Sequence, residues 1–494
     1  MKIRYLPIDD RNNLRVLRHT TDQTVIEAIL GSIFKRPYYT LQVLWEYRKW
    51  FFGLTDEQLN RNPSLTCGLI QLHIISGDIE KAQTLIEALP DGTPHKAFSI
   101  LMLPGAEHET VVRAMREIKE NGWTPNGPVL TAGRPSIING AWDFSIHMGQ
   151  SEERERALKG FLEIFFPDEY ENIFEVMQAE TLYWQDDCYN ALVRTVGKIP
   201  LLRERQDIRI LFAALTLEMY ILVLNGQAAN ATPLMDNLRQ QIVDNSLEEY
   251  TPNVNALEAW AAMYDGDYKK VAAWMRDGAP DEHSKFCMLD LFRYMIKIRA
   301  YIIGGKHLAV TALVGKLMPL LEKGKRYMDM CELHLLWAIS DHDDGRTDDA
   351  LYHIGKALEL AEKYRYDRLI ADEGRRAFEL LKLYEKEKGS TPYIKRIREL
   401  ASRTADIHPR YLKHQLPEKP ALTDTEMKVL RLLADGSSNA DISVLTGMAV
   451  ETAKIHCKHI FDKLDVKNRQ QAVYRAIEYG IIEPIEPGKM SSIL

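Results

Sequence analysis

Polar and apolar residues alternate with a helical period through most of this chain, and a short turn phrase recurs between the apolar runs. The phrase reads GDIEKA at 77–82, DDCYNA at 186–191, GQAANA at 226–231, GDYKKV at 266–271, GKHLAV at 305–310 and GRTDDA at 345–350. From position 186 onward, successive phrases begin 40, 40, 39 and 40 residues apart. A constant period of this length, with a glycine turn between two helices, is typical of a helical solenoid. The pattern predicts an array of helix pairs over residues 53–407.

A different pattern covers residues 422–482. Thr423 and Glu426 form a capping-box sequence, which predicts the start of a helix. Apolar periodicity and turn residues predict three further helices, over 439–446, 450–464 and 469–479. Two short helices joined by a glycine turn are the layout of a helix-turn-helix, so this segment is predicted to be a four-helix module of that type.

The third helix of this module has two faces. At about 100° per residue, one face is apolar and is predicted to be core, with Ala453, Cys457, Ile460, Phe461 and Leu464. The opposite face carries Glu451, Thr452, Ile455, Lys458, His459 and Asp462, with Lys454 and Lys463 on its flanks. An isoleucine on this face has no packing role, but in a DNA major groove it could contact a thymine methyl group. Periodicity alone fits a solvated helix face equally well.

Residues 422–482 resemble the LuxR-type helix-turn-helix family. The matching residues are Leu422, Thr423, Glu426, Val429, Leu430, Gly436, Ser438, Asn439, Ile442, Thr452, Lys454, His456, Ile460, Lys463, Leu464, Val466, Arg469, Ala472 and Val473. Departures from the family pattern occur at Thr425, Lys428, Thr446, Ala449, His459 and Asp465. The resemblance implies binding of double-stranded DNA and a homodimer on DNA that forms through the fourth helix. The predicted DNA-binding residues are Ser438, Asn439, Glu451, Thr452, Lys454, Ile455, Lys458, His459 and Lys463.

Two stretches of the array resemble the tetratricopeptide-like (TPR-like) domain of MalT-type regulators. Residues 50–89 are similar to its opening, and residues 341–382 are similar to its close, including the phrase Asp372-Glu373-Gly374. Regulators of this type carry a nucleotide-binding domain before the array. The chain has no GxxxxGK[ST] phosphate loop, so we expect the array without that domain.

The predicted fold class is therefore all-α, a TPR-like solenoid followed by a LuxR-type module. The predicted segments are a helical cap over 1–52, the array over 53–407, a linker over 408–421, the DNA-binding module over 422–482 and a tail over 483–494. Three prolines predict a stiff, extended linker. One insertion, over 121–150, is rich in Gly, Pro and Asn but also contains tryptophans, and we interpret it as an ordered loop.

Composition narrows the function classes. The net charge of −7 argues against a sequence-independent nucleic-acid coat, and the five scattered cysteines fit a reducing cytoplasm. We predict no signal peptide, because the N-terminal residues MKIRYLPIDDRNN lack an apolar core. We also predict no membrane span, because the most apolar stretch, from Ile210 to Leu224, has only fifteen residues and contains Glu218. No catalytic or metal-binding motif is present, so we expect no enzyme activity, no cofactor and no metal site.

A signal could enter through the concave surface of the array, which the first helix of each pair lines. Positions eleven, eight and four residues before each turn lie on one helix face. In the last three repeats this face combines polar and aromatic groups, which suit a sugar-like or aromatic ligand. The predicted effector-binding residues are Asn255, Glu258, Tyr294, Lys297, His334 and Trp337. An ordinary solvated inner face is the alternative.

These features predict a cytoplasmic transcriptional regulator, an activator that would contact RNA polymerase, whose array senses a small-molecule effector. The alternative is a regulator that is controlled through a protein partner bound to the array, since TPR-like arrays often bind peptides. A partner should occupy a broad groove, whereas a metabolite should occupy one closed pocket.

Overall fold

The computed structural model describes residues 6–36, 39–122, 131, 133–149, 151–204, 208–413, 422–464, 466, 468–478 and 481–482. Within these ranges the regular structure is helical and no strand is present, which confirms the predicted all-α class. The chain divides into two compact units, with the division after Lys413. We call them the repeat unit and the C-terminal unit.

The repeat unit begins with helices of uneven length. They are α1 (Ile8–His19), α2 (Gln23–Ile33), α3 (Leu41–Glu46), α4 (Arg48–Phe51), α5 (Asp56–Arg61), α6 (Pro63–Ile75), α7 (Ile79–Ala88), α8 (Pro94–Met102), α9 (His108–Glu120) and α10 (Glu152–Phe165). The first four lie within the predicted cap, where Asp10 is fully buried and its carboxylate accepts hydrogen bonds from Arg36 and Tyr47. This contact ties α1 to the chain after α2 and to the residue between α3 and α4.

Regular helix pairs follow. They are α11 (Tyr170–Trp184) with α12 (Cys188–Glu204), α13 (Ile208–Leu224) with α14 (Ala228–Asp244), α15 (Thr251–Asp265) with α16 (Tyr268–Asp277), α17 (Leu291–Ile303) with α18 (His307–Lys323), and α19 (Tyr327–Asp343) with α20 (Thr347–Tyr364). The array closes with α21 (Asp367–Ala371), α22 (Gly374–Lys388) and α23 (Pro392–Ile407). Short 3₁₀ turns, Glu248–Tyr250 and Met288–Asp290, precede α15 and α17.

The turns within these pairs fall where the recurring phrase begins. Gly226, Gly266, Gly305 and Gly345 have φ angles of 75°, 71°, 64° and 79°, and Asp186 has 69°. This left-handed conformation suits glycine because it has no Cβ, which explains why the phrase usually starts with glycine. Asp186 adopts the same conformation as a non-glycine residue.

Buried apolar side chains occur on all the paired helices. The largest fully buried side chains include Phe212 on α13 and Tyr250 just before α15. Their rings meet edge to face at 5.1 Å between centroids. Burying one such aromatic side chain contributes about 2–3 kcal/mol relative to leaving it exposed, so the repeats are held together mainly by apolar packing.

Residues 133–149, which we call the inner loop, pack within the repeat unit. Ile137, Ile138 and Phe144 are buried there, as expected for an ordered loop. Arg326 donates hydrogen bonds to the carbonyl oxygens of Asn139 and Gly140 at 3.1 and 3.0 Å. Residues 123–130, 132 and 150 of the predicted 121–150 loop, including Trp123, lie outside the described residues.

The first part of the predicted linker belongs to the repeat unit. Tyr411 and Leu412 are buried, and the Tyr411 ring stacks on Tyr264 with centroids 3.9 Å apart. The Arg376 guanidinium donates to the Leu412 carbonyl oxygen. The prediction of an extended linker from residue 408 is therefore wrong for 408–413, because aromatic packing there outweighs the stiffness of the proline. Residues 414–421 lie outside the described residues.

The C-terminal unit contains four helices, α24 (Asp424–Ala434), α25 (Asn439–Thr446), α26 (Val450–Leu464) and α27 (Arg469–Glu478). Their bounds agree with the predicted helices within a residue. The capping box is present, with Thr423 Oγ1 accepting from the Glu426 N–H and the Glu426 carboxylate accepting from the Thr423 N–H. A second box joins Ser438 and Asp441 at the start of α25. Among the described residues of both units, no helix is long and apolar enough to cross a membrane.

Candidate DNA-binding surface and inner cavity

The C-terminal unit is organised around one small core. Val429, Leu430 and Leu433 of α24 pack in one cluster with Ile460 and Leu464 of α26. Gly447 turns the chain between α25 and α26 with a φ angle of 71°. The core therefore fixes which side of α26 faces solvent, as the helical period predicts.

The polar face of α26 is exposed. Ile455 is 53% exposed and lies among exposed charged and hydrogen-bonding side chains. The exposed predicted residues of this face are Glu451, Thr452, Lys454, Lys458, His459 and Lys463. This helix follows a tight turn, and its exposed face combines cations, a hydroxyl, an imidazole and one methyl-rich side chain. These are the groups that contact phosphates and base edges in a major groove.

Three of the predicted DNA-binding residues also make contacts within the unit. The Lys454 ammonium lies 2.7 Å from Glu451 on the same helix. Lys463 lies 2.6 Å from Glu426, and this ion pair fixes the end of α26 to the start of α24. Burial opposes ionisation of Glu426, but the hydrogen bonds from Lys463 and Thr423 outweigh it and lower its pKa. Lys463 therefore has a structural contact in addition to its predicted role.

The other two predicted DNA-binding residues, Ser438 and Asn439, lie at the start of α25 rather than on α26. Ser438 is exposed and caps this helix. The Asn439 side chain turns inward, and its oxygen accepts from Arg469 at 3.4 Å. Arg469 also donates to the Ser437 carbonyl oxygen at 2.6 Å, so it connects α27 to the start of α25. The charge pattern did not single out Arg469, although it lies among the family-matching residues.

The repeat unit contains a partly open cavity of about 50 Å³. The first helices of the pairs, the segment around α21 and the inner loop form its walls. Its lining includes Arg134, Ser136, Asn139, Glu180, Tyr183, Trp184, Tyr220, Trp260, Tyr264, Phe292, Arg299, Glu332, Asp372 and Glu373. Because loop residues close one side, the inner loop is part of this site.

Charged groups in the cavity wall form a buried network. Arg299 donates to Glu332 at 2.8 Å and to Glu373 at 2.5 Å. Arg134 of the inner loop forms ion pairs with Glu332 and with Asp329, at 2.9 Å for Asp329. Burial alone would raise the pKa of Glu332, but the guanidinium groups of Arg134 and Arg299 outweigh it and lower that pKa.

Two other carboxyl groups of the wall are less well compensated. The Glu180 carboxylate accepts the backbone N–H groups of Ile137 and Ile138, both at 3.0 Å, and burial raises its pKa to about 7. Asp372 accepts from the Tyr183 hydroxyl at 2.7 Å, and burial raises its pKa to about 6 despite the nearby Arg368. These shifts arise because a carboxylate loses hydration when it is enclosed.

The structure does not bring the six predicted effector-binding residues together at this cavity. Asn255 and Glu258 line a separate open groove and contact Arg239 of α14. Tyr294 and Lys297 are buried. The Tyr294 hydroxyl donates a hydrogen bond to the Asp281 carbonyl oxygen, and the Lys297 ammonium donates one to the Pro280 carbonyl oxygen.

The other two residues pack against the second helix of their own pair. Both His334 and Trp337 stack on His353 of α20, with ring centroids 5.3 and 3.9 Å apart. The predicted effector-binding residues were expected to line the concave surface of the array. In the structure their side chains contact the second helices of the pairs or a neighbouring loop.

The cavity-lining residues recur in the sequence with the same period as the turns. The positions six residues before the turns at 186, 226, 266 and 305 are Glu180, Tyr220, Trp260 and Arg299, and all four line the cavity. The helix face that lines the cavity is about half a helical turn from the face that carries the predicted effector-binding residues. Turn positions establish the repeat, but they do not show which helix face points inward.

Comparisons with protein families agree with both modules. Residues 171–387 match the family model of the MalT-like TPR region, and residues 420–476 match that of bacterial regulatory proteins of the luxR family. The luxR-family match confirms the resemblance of the C-terminal module, and the MalT-like match covers the resembling residues 341–382, so the predicted fold class is confirmed. The resemblance of residues 50–89 lies outside the matched range and stays a prediction. The chain carries a MalT-like TPR region followed by a luxR-family domain.

Curated relatives match over a short segment only. The response regulator protein VraR of Staphylococcus aureus (strain NCTC 8325 / PS 47), of Staphylococcus saprophyticus and of Staphylococcus epidermidis is 39% identical over 62 residues. This segment is 13% of this chain and 30% of each relative, so the chain spans less than a third of the length of these relatives.

Proposed function

We propose that this protein is a sequence-specific, DNA-binding transcriptional regulator that inserts α26 into the major groove. One observation carries the proposal: Ile455 is 53% exposed in the middle of a polar helix face within a luxR-family domain. Lys454 and Lys458 would bind phosphates, while Thr452, Ile455 and His459 would meet base edges.

A double substitution tests the phosphate contacts. Lys454→Ala with Lys458→Ala should weaken the binding of the full chain to random-sequence duplex DNA. The slope of log affinity against log salt should fall by about 2, since each lost phosphate contact removes roughly one unit. Fluorescence anisotropy at several salt concentrations measures both quantities.

The matched control is Lys386→Ala with Lys388→Ala, which removes the same charge from exposed positions of α22. This control should leave affinity and slope unchanged. If the two double variants have the same DNA affinity and the same salt dependence, α26 is not the DNA-contacting helix.

Sequence specificity requires a second measurement. Duplexes selected from genomic fragments by the full chain should bind Ile455→Ala about fivefold more weakly, because a methyl contact contributes about 1 kcal/mol. Random duplexes should bind this variant as well as the parent chain. If Ile455→Ala weakens binding to selected and random duplexes equally, Ile455 does not contribute to sequence specificity.

We further infer that the repeat unit senses a small-molecule effector and shifts the protein between states of different DNA affinity. The cavity, lined by polar and aromatic side chains, supports a metabolite site. In this proposal the protein acts in the cytoplasm as an activator that contacts RNA polymerase. It binds DNA as a homodimer through α27, where Tyr474 is 59% exposed.

Control through a protein partner is the second candidate. TPR-like arrays bind peptides in their concave groove, but here the inner loop fills part of that surface. A partner would have to displace the contacts of Arg134 with Asp329 and Glu332. Arg134→Ala should strengthen partner binding in this case, whereas it should weaken a ligand that needs the loop as a wall.

A further inference from the structure

We propose that the inner cavity binds a small organic ammonium ion, recognised by the rings of Tyr220 and Trp260 and by the carboxylate of Glu180. This inference rests on the proposal that the repeat unit is a sensor, and it specifies the chemical class of the effector. All three side chains line the same cavity.

The aromatic side chains form one connected wall. The Tyr220 and Trp260 rings lie 4.4 Å apart between centroids, Trp260 and Tyr264 lie 4.8 Å apart, and Tyr183 lies 6.3 Å from Tyr220. Trp260 is only 7% exposed. A desolvated wall of tryptophan and tyrosine attracts an ammonium group through the negative faces of the rings.

The charge balance of the wall also favours a cation. Four carboxyl groups line the cavity, Glu180, Glu332, Asp372 and Glu373, but only two guanidinium groups do, Arg134 and Arg299. Glu332 and Glu373 are paired with these arginines, and Asp372 is paired with Arg368 from outside the lining.

Glu180 has no ion-pair partner in the described part of the chain, although it is only 4% exposed. Its carboxylate instead accepts the backbone N–H groups of Ile137 and Ile138. The Arg134 guanidinium favours ionisation of Glu180, but its ion pairs are with Asp329 and Glu332, so a bound ammonium group would be the direct counter-ion of the buried Glu180 carboxylate.

The same surface already accommodates one cation of the chain. The Arg134 guanidinium carbon lies 5.6 Å from the centre of the Phe292 ring, and the guanidinium is paired with Asp329 and Glu332. An aromatic face and carboxylates therefore hold a positive group on the inner side of the repeat unit. At the proposed site, Trp260 would supply the aromatic face and Glu180 the carboxylate that contact the bound ammonium group.

The volume limits the size of the ligand. A cavity of 50 Å³ accepts about four water molecules, which together occupy roughly 120 Å³ of liquid. This space suits an ammonium group of about five heavy atoms, such as a trimethylammonium group with its first methylene, while the rest of the ligand lies at the open side of the cavity. An oligosaccharide would require the inner loop to move away.

Calorimetric titration of the full chain with choline tests the proposal. Its matched control is 3,3-dimethyl-1-butanol, which has the same shape but no charge. Choline should bind at least about tenfold more tightly than the alcohol, since a desolvated cation–π contact with a counter-ion is worth at least about 1.4 kcal/mol. A panel of neutral saccharides should not bind at the concentrations that saturate choline.

Two variants locate the site. Trp260→Leu should weaken choline binding at least about tenfold, whereas Trp337→Leu, which alters a tryptophan outside the cavity lining, should leave it unchanged. If Trp260→Leu fails to fold, Glu180→Gln provides the same test, because it removes the charge and keeps the size. The affinity of Glu180→Gln for the uncharged alcohol should match that of the parent chain.

Each other outcome overturns the proposal. Equal binding of choline and the alcohol would exclude a cation site, and so would the absence of choline binding at 10 mM, a concentration about tenfold above a 1 mM dissociation constant. Choline binding that survives Trp260→Leu and Glu180→Gln would place the ligand elsewhere. These titrations contain no DNA, so a failed ammonium site and a failed DNA-binding function give separate results.

Discussion

On α26 the charged side chains face water, whereas in the repeat unit the charges of Arg134, Arg299, Glu332 and Glu373 are enclosed together. Water weakens the attraction between charges by its high dielectric constant, and enclosure strengthens it while removing hydration. Exposed charges therefore contribute little to stability and are available for a partner such as DNA. Enclosed charges constrain the fold, because each needs its counter-ion in place.

The largest expected difference between the two regions concerns Arg299. Arg299→Met should lower the free energy of unfolding of the repeat unit by about 3–5 kcal/mol, because Glu332 and Glu373 would each lose a buried counter-ion. All eight tryptophans of the chain precede residue 414, so urea unfolding followed by tryptophan fluorescence reports on this unit.

Arg194→Met is the matched control for Arg299→Met. Arg194 is partly exposed and pairs with Glu175 at 2.8 Å, so its loss should cost less than about 1 kcal/mol. Similar destabilisation by the two variants would mean that enclosure does not distinguish the two ion pairs.

A pH effect of nearly the same size is expected at Glu180. Its pKa is raised from an ordinary 4.5 to about 7 in the folded chain. A raised pKa means that the protonated form stabilises the fold below pH 4.5 and that this contribution is lost as the pH rises through 7. The full loss for this shift is about 3 kcal/mol.

Glu180→Gln does not titrate, so its free energy of unfolding relative to the parent chain should rise by about 3 kcal/mol between pH 4 and pH 8. Comparison of the two chains removes the titration of other groups, such as Asp372 and Glu249. Parallel pH profiles of urea unfolding would contradict the raised pKa.

Helix capping in the C-terminal unit gives a smaller effect. Thr423→Ala should destabilise the start of α24 by about 1 kcal/mol, because the Glu426 N–H loses its acceptor. The four-helix part of this unit, within residues 422–482, is small and has little stability in reserve. Amide hydrogen exchange of α24, measured by mass spectrometry on the full chain, should therefore accelerate about fivefold. Unchanged exchange would indicate that packing alone sets the start of this helix.

The two units also differ in how much the sequence could predict. For α26 the helical period sufficed, because the helix has one core on one side and solvent on the other. Ala453 and Ile460 therefore identify the buried face, and Ile455 identifies the exposed face. The caps at Thr423 and Ser438 were local signals, and the structure contains both capping boxes.

In the repeat unit the helical period does not identify the helix face that lines the cavity. The first helix of a pair has neighbours on several sides, so polar residues occur on more than one face. Glu258 meets Arg239 of a second helix, whereas Trp260 lines the cavity. Only long-range contacts, such as that of Arg134 with Glu332 almost two hundred residues later, decide which face is inside. No local pattern contains that information.

The smallest expected effect is the stability change at Lys454, and it completes the contrast with Arg299. Lys454 is exposed and pairs with Glu451 one helical turn away at 2.7 Å. Such a pair contributes about 0.3–0.5 kcal/mol, so Lys454→Ala should leave hydrogen exchange of α26 nearly unchanged. Its effect should appear instead in DNA affinity and in the salt dependence of binding. If Lys454→Ala accelerates exchange across α26 by tenfold or more, about 1.4 kcal/mol, this lysine stabilises the helix, and its loss of DNA binding could not be assigned to a phosphate contact.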